Sequence, residues 1–108
     1  MQVKQIETPQ EFDKTIESGV CLVDFKAPWC GPCKTQTPII QELAGDFDGR
    51  ALIAELDVSA SRDVAARYGV NSIPTLIVFR DGKEFKRFVG VQSGQVLAGA
   101  INEALAGR

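Results

Sequence analysis

Histidine is absent from this chain of 108 residues, and cysteine occurs only three times. Those two facts exclude an ordinary structural zinc site in a single copy, because such a site takes four Cys or His ligands. No metal is therefore expected. No apolar run reaches the length of about 18 residues that a membrane-spanning helix requires. The first seven residues, Met1 to Glu7, lack the apolar segment of a secretory signal. The chain is accordingly expected in the cytoplasm, where thiols are mostly reduced. Basic residues are not in excess: 12 Lys and Arg stand against 14 Asp and Glu, for a net charge of −2. That balance argues against nucleic acid as the main partner, since such proteins carry a basic footprint. Internal repeats, linkers and low-complexity segments are lacking too, and nothing in the sequence signals oligomerisation, so a monomer is expected.

What is present fits one globular domain spanning residues 1–108. The hydrophobic fraction is 44% and the charged fraction 24%, ordinary for such a domain. A chain of this length buries roughly 60–70% of its unfolded surface, enough for one core. Residues 2–6 alternate weakly and suggest a short edge strand. Thr8-Pro9-Gln10-Glu11 has the form of a helix start, with Thr8 as cap, Pro9 in the first turn and Glu11 completing a capping box. Phe12 and Ile16 share a face of that helix. Val20 to Phe25 reads as a central strand, and a helix follows from about Cys33 to Asp46 with Ile39, Ile40, Leu43 and Phe47 inward. Residues 51–58 form another apolar strand and residues 62–68 a short helix closed by Gly69. Residues 75–79 and 83–89 form a hairpin around Asp81-Gly82. Ser93 caps a last helix with Val96, Leu97, Ile101 and Leu105 as its apolar stripe. The order β-α-β-α-β-α-β-β-α predicts an α/β fold. Its central mixed sheet combines parallel crossovers with an antiparallel edge hairpin, and helices cover both faces.

The run Trp29-Cys30-Gly31-Pro32-Cys33-Lys34 falls where the central strand gives way to a helix. Two thiols at this spacing can close a small ring and so store two electrons. A helix N-terminus carries about half a positive elementary charge and unpaired N–H groups, both of which favour an anion. A thiol there loses its proton more readily than a free one, whose pKa is about 8.5. A CxxC beside a βαβ pattern points to redox chemistry. Cys21 alternates with Val23 and Phe25 and is expected to be core packing.

Four features together resemble the thioredoxin family over nearly the whole chain. They are Trp29 to Lys34, Val23-Asp24-Phe25, Ile73-Pro74-Thr75 and Val89-Gly90. The resemblance implies that Cys30 is the nucleophile toward a substrate disulfide and that Cys33 is the resolving thiol. Gly31 and Pro32 would form the active-site bridge, and Asp24 would lie buried beneath the pair and move protons for Cys33. Pro74 would be cis, and Trp29, Ile73, Pro74 and Gly90 would line the substrate groove. It implies a protein-disulfide reductase whose partners are disulfide-containing client proteins and a flavin-containing thioredoxin reductase. No nucleotide or flavin fingerprint occurs in the chain itself, so no cofactor is expected. Two other readings stay open at this point. The fold could serve only as a binding module, or the couple could run as an oxidase or isomerase, although Gly31-Pro32 resembles the reducing members.

Two positions depart from the family pattern. Glu55 stands where a lysine is usual on the strand beside the buried acid, and Lys26 stands where an aromatic is common. Like charges resist joint ionisation, so Glu55 near Asp24 would raise a carboxyl pKa, and Lys26 would restore the balance. The rival reading makes both residues independent solvated surface charges.

Overall fold

The computed structural model describes residues 3–107. Along the chain lie β1 (Lys4–Ile6), α1 (Pro9–Ile16), β2 (Val20–Lys26), α2 (Gly31–Asp46) and β3 (Leu52–Asp57). Then follow α3 (Arg62–Arg67), β4 (Thr75–Arg80), β5 (Lys83–Val89) and α4 (Gly94–Ala106). Gln2, included in the expected first strand, lies outside the described residues. The strands form one mixed sheet in the order β1-β3-β2-β4-β5, with β2 at its centre. β1, β3 and β2 are mutually parallel, joined by crossover helices.

The sequence pattern points to antiparallel pairing only within the 75–89 hairpin. In the structure β4 is antiparallel to β2 as well as to β5. The reason lies in the connection before it. α3 has six residues and spans about 9 Å at the helical rise. It is too short to carry the chain back along the sheet. Lys26 pairs with Asp57 and Phe25 with Thr75, so β3 ends and β4 begins at the same end of β2.

Strand alternation divides the core. Val20, Leu22, Ile53, Leu76 and Val78 face Ile40 and Leu43 of α2 and Leu97 and Ile101 of α4. Cys21, Val23, Phe25, Ala54, Leu56, Ile77 and Phe79 face Phe12 and Ile16 of α1 and Val64 of α3. Cys21 is thus a fully buried core residue, as its alternation indicates. The same period puts Asp24 and Lys26 on the α2–α4 face of β2, continuing the row of Val20 and Leu22.

Local rules account for the element ends. Thr8 Oγ1 accepts the Glu11 N–H at 3.0 Å, while Glu11 Oε1 accepts the Glu7 N–H, one residue before the cap, at 3.0 Å. Ser93 Oγ accepts the Val96 N–H at 3.1 Å. Asp81 and Gly82 both have positive φ, 51° and 86°, as a two-residue hairpin turn requires. Two details depart from expectation. α2 begins at Gly31, before Cys33. In α4, Val96 is 44% exposed, and the buried stripe is Leu97, Ala100, Ile101 and Ala104.

Candidate active site

The early start of α2 makes Cys30 its N-cap. Cys30 keeps an extended backbone (φ −90°, ψ 115°), and its Sγ accepts the Cys33 N–H at 3.2 Å. Gly31 and Pro32 form the first turn, where a proline removes no needed hydrogen bond. Cys30 and Cys33 are joined as a disulfide with their Cα atoms 5.3 Å apart. They differ in access: Cys30 is 6% exposed and Cys33 1%. Trp29, Gly31 and Pro32 around Cys30 are exposed, whereas Cys33 points to the inner side of the helix.

The loop before β4 comes up against this pair. The Ile73–Pro74 peptide is cis, and the Ile73 carbonyl oxygen lies 3.9 Å from Cys30 Sγ. Ile73 and Val58 close a small apolar cluster with Ala27, Cys30 and Cys33. Beyond it, the Gly90 N–H donates to the Pro74 carbonyl at 2.8 Å. Gly90 has φ 93°, a conformation that favours glycine. Trp29 is 72% exposed, a large apolar side chain left in water beside the sulfurs. Ile73 thus lies against the disulfide, Pro74 follows it in the chain with Gly90 tied to its carbonyl, and Trp29 directly precedes Cys30.

Asp24 is buried in the centre of the sheet beside Glu55, its register partner on β3. Among the described residues neither carboxylate oxygen has a hydrogen-bond partner. Burial pushes the Asp24 carboxyl up to about 7 from its ordinary 3.8; Glu55 adds to the rise and Lys26 opposes it. Lys26 and Glu55 are not independent solvated charges. Lys26 Nζ lies 3.1 Å from Glu55 Oε2, and Glu55 is itself buried. Glu55 Oε1 also accepts from Gln5 Nε2 at 2.8 Å. Lys26 Nζ donates to Thr37 Oγ1 at 3.0 Å, and that hydroxyl donates to the Cys33 carbonyl at 3.0 Å. A polar chain thus runs from the first turn of α2 to the carboxylate beside Asp24. A recess of about 250 Å³, lined by Gln5, Lys26, Pro28, Glu55 and Asp57, opens the ion pair to solvent.

Thr37 and Gln36 escape the sequence reading. The signal for Gln36 was available: it is the polar member of the inward stripe Cys33, Gln36, Ile40, Leu43. Thr37 is one of many helix-surface polar residues and carries no such mark.

A buried cysteine pair closing the N-terminus of a helix, with a peptide loop and an exposed tryptophan beside it, defines a dithiol–disulfide exchange site. The thioredoxin family model matches residues 3–103. The chain is 53% identical over 98 residues to the thioredoxin of Staphylococcus epidermidis RP62A, covering 91% of this chain and 94% of that one. It is 50% identical over the same length to a thioredoxin of Staphylococcus aureus N315, with the same shares of each chain covered. Among solved structures, a mutant thioredoxin from Halobacterium salinarum superposes with a TM-score of 0.89 at 32% identity, covering 96% of this chain and 91% of that chain. The thioredoxin of Fasciola hepatica gives 0.86 at 31%, covering 94% and 99%. This chain belongs to the thioredoxin family. It is a thiol–disulfide oxidoreductase, a protein-disulfide reductase with Cys30–Cys33 as its redox-active pair.

Proposed function

We propose that residues 1–108 work as one monomeric thioredoxin domain in the cytoplasm, passing electrons from a flavin-containing thioredoxin reductase to client disulfides. The Cys30 thiolate attacks one sulfur of the client disulfide, forming a mixed disulfide and expelling the other sulfur as a thiolate. Cys33 then attacks Cys30 Sγ, closing the Cys30–Cys33 disulfide and releasing the second client thiolate. Two electrons leave the dithiol, and the client sulfurs take up two protons. The observation that carries this assignment of roles is the N-cap position of Cys30. Its sulfur receives the Cys33 N–H at the open end of α2, where the helix favours an anion. Cys33, one turn in and less exposed, suits the internal attack. Asp24 serves as the proton acceptor for Cys33, supported by a carboxyl that titrates near neutral pH. Client recognition reads backbone: an extended segment lies along the groove of Trp29, Ile73, Pro74 and Gly90 and bonds the Ile73 peptide, a short strand addition.

The direction of electron flow is tested by the reduction potential of the Cys30–Cys33 couple, read from Trp29 fluorescence in thiol–disulfide buffers. A reductase gives a value below the cytosolic glutathione poise, about −220 to −260 mV by chemical extraction. A value above about −200 mV would make the protein an oxidant or isomerase and reverse the proposal.

Lys26 and Glu55 tune Asp24 in this scheme. Lys26 favours the ionised form of Asp24, and pairing with Glu55 offsets that neighbour's repulsion. Lys26→Met keeps the aliphatic stem and removes the charge. The pH dependence of single-turnover disulfide reduction then moves to higher pH by about 0.5–1 unit, because one cation within reach of a carboxylate is worth at least that much. A profile identical to that of the unmodified protein would remove Lys26 and Glu55 from the mechanism.

A further inference from the structure

Gln36 interrupts an otherwise apolar stripe, and it is fully buried. A buried side-chain amide must satisfy both a carbonyl and an NH₂ group, or each group left unpaired destabilises the fold. Both ends of Gln36 find partners on the backbone of a single residue. Gln36 Oε1 accepts the Gln92 N–H at 2.8 Å, and Gln36 Nε2 donates to the Gln92 carbonyl at 3.0 Å. This bidentate pairing spans 56 residues of sequence.

Gln92 belongs to the link between β5 and α4, residues 90–93. The start of that link is tied elsewhere, through the Gly90 N–H to the Pro74 carbonyl at 2.8 Å. Val91 stands exposed between the two ties. The segment is therefore strung between the Ile73–Pro74 loop and α2, the helix that carries Cys33 one turn before Gln36. An apolar side chain in place of Gln36 would fill the same volume. It would leave the Gln92 N–H and carbonyl without partners, and the segment would reach water for them by moving outward.

We propose that Gln36 is a positioning residue for protein substrates: its two bonds to the Gln92 backbone hold the Gly90–Val91 wall of the groove against the cysteine-bearing helix. A disulfide-containing polypeptide then meets a cleft already in its bound shape, and the cost of ordering that wall is not charged to binding. Both hydrogen bonds of the Gln36 side chain go to Gln92 and neither to a sulfur, so its effect falls on capture. The proposal rests on the reading of Trp29, Ile73, Pro74 and Gly90 as the substrate groove.

The test compares unmodified protein and Gln36→Met in dithiothreitol-driven reduction of insulin and of a small aromatic disulfide. With insulin, KM rises about fivefold to tenfold while kcat changes less than about twofold, the scale expected from losing one ordered contact set. The small disulfide, which does not span the groove, is reduced at an unchanged rate. An unchanged KM for insulin overturns the proposal, and so does an equal loss with both substrates, which would place Gln36 in the thiol chemistry. Failure of the unmodified protein to reduce either disulfide would instead overturn the functional reading beneath it. Hydrogen exchange on the unmodified protein supplies a check that needs no variant. The Gln92 amide is expected to exchange far more slowly than the Val91 amide; equal exchange at the two would overturn the proposal even if Gln36→Met did not fold.

Discussion

Asp24→Asn is expected to remove a loss of about 4 kcal/mol in stability that the unmodified protein suffers between roughly pH 4 and pH 7. The Asp24 carboxyl is pushed up to about 7 in the folded protein, chiefly by burial, then by Glu55, with Lys26 opposing. In the unfolded chain it returns to its ordinary 3.8. Between those values the folded state keeps a proton that the unfolded state releases. Rising pH therefore favours unfolding by about 1.4 kcal/mol per unit across that window, and levels off above it. Below the window both states are protonated and the contribution is present in full. Asparagine has nearly the same shape and never ionises, so it lacks this slope. Urea unfolding at pH 4 and pH 8 gives the comparison. The stability difference between variant and unmodified protein should shift by about 4 kcal/mol in favour of the variant at the higher pH. Parallel pH dependences would mean that Asp24 titrates in the folded state as it does in the unfolded chain, and the buried-acid account would fail.

A carboxylate without hydrogen bonds inside the sheet destabilises the fold at neutral pH, and core packing alone gives no reason for an acid there. In the proposed scheme the acid serves by titrating where thiols exchange, as a proton acceptor for Cys33 would.

The second large effect concerns the two cysteines. Cys33→Ser is expected to accumulate a covalent mixed disulfide with a protein client, because attack by Cys30 proceeds while internal release does not. Multiple-turnover reduction falls by about 10³-fold or more, the scale of losing an essential nucleophile. Cys30→Ser yields no adduct, since Cys33 is 1% exposed and lies on the inner side of α2. Non-reducing electrophoresis and intact mass distinguish these outcomes. An adduct on Cys33 in the Cys30→Ser protein, formed as fast as that on Cys30 in the other variant, would exchange the two roles. The double variant should form none. Cys21 is fully enclosed by the sheet, and burial pushes its thiol up to about 12, so it offers no thiolate to compete.

The ion pair of Lys26 and Glu55 illustrates how far local reading extends. Their departures from the family pattern are visible in the sequence, and alternation along β2 puts residues 24 and 26 on one face. Whether Lys26 reaches Glu55, and whether either is buried, depends on how β2 and β3 are aligned. The observed register sets Asp24 beside Glu55 and leaves the Lys26 side chain to bridge Glu55 and Thr37. A shift of one residue would have turned Glu55 to the opposite face.

Whatever neighbouring residues decide among themselves is legible in the amino-acid sequence. Periods of two and 3.6 mark the strands and helices, Thr8 and Ser93 mark helix starts, and Asp81-Gly82 marks the hairpin. The spacing of Cys30 and Cys33 at a strand-to-helix junction marks the redox pair. These signals are short-range because backbone geometry and capping act within a few residues. Packing settles the antiparallel entry of β4, the burial of Asp24 beside Glu55, the Lys26–Glu55–Thr37 chain and the hold of Gln36 on Gln92. Each depends on groups far apart in sequence that only packing brings within hydrogen-bond distance. No local pattern can state which buried polar atoms, such as those of Gln36, will meet a partner.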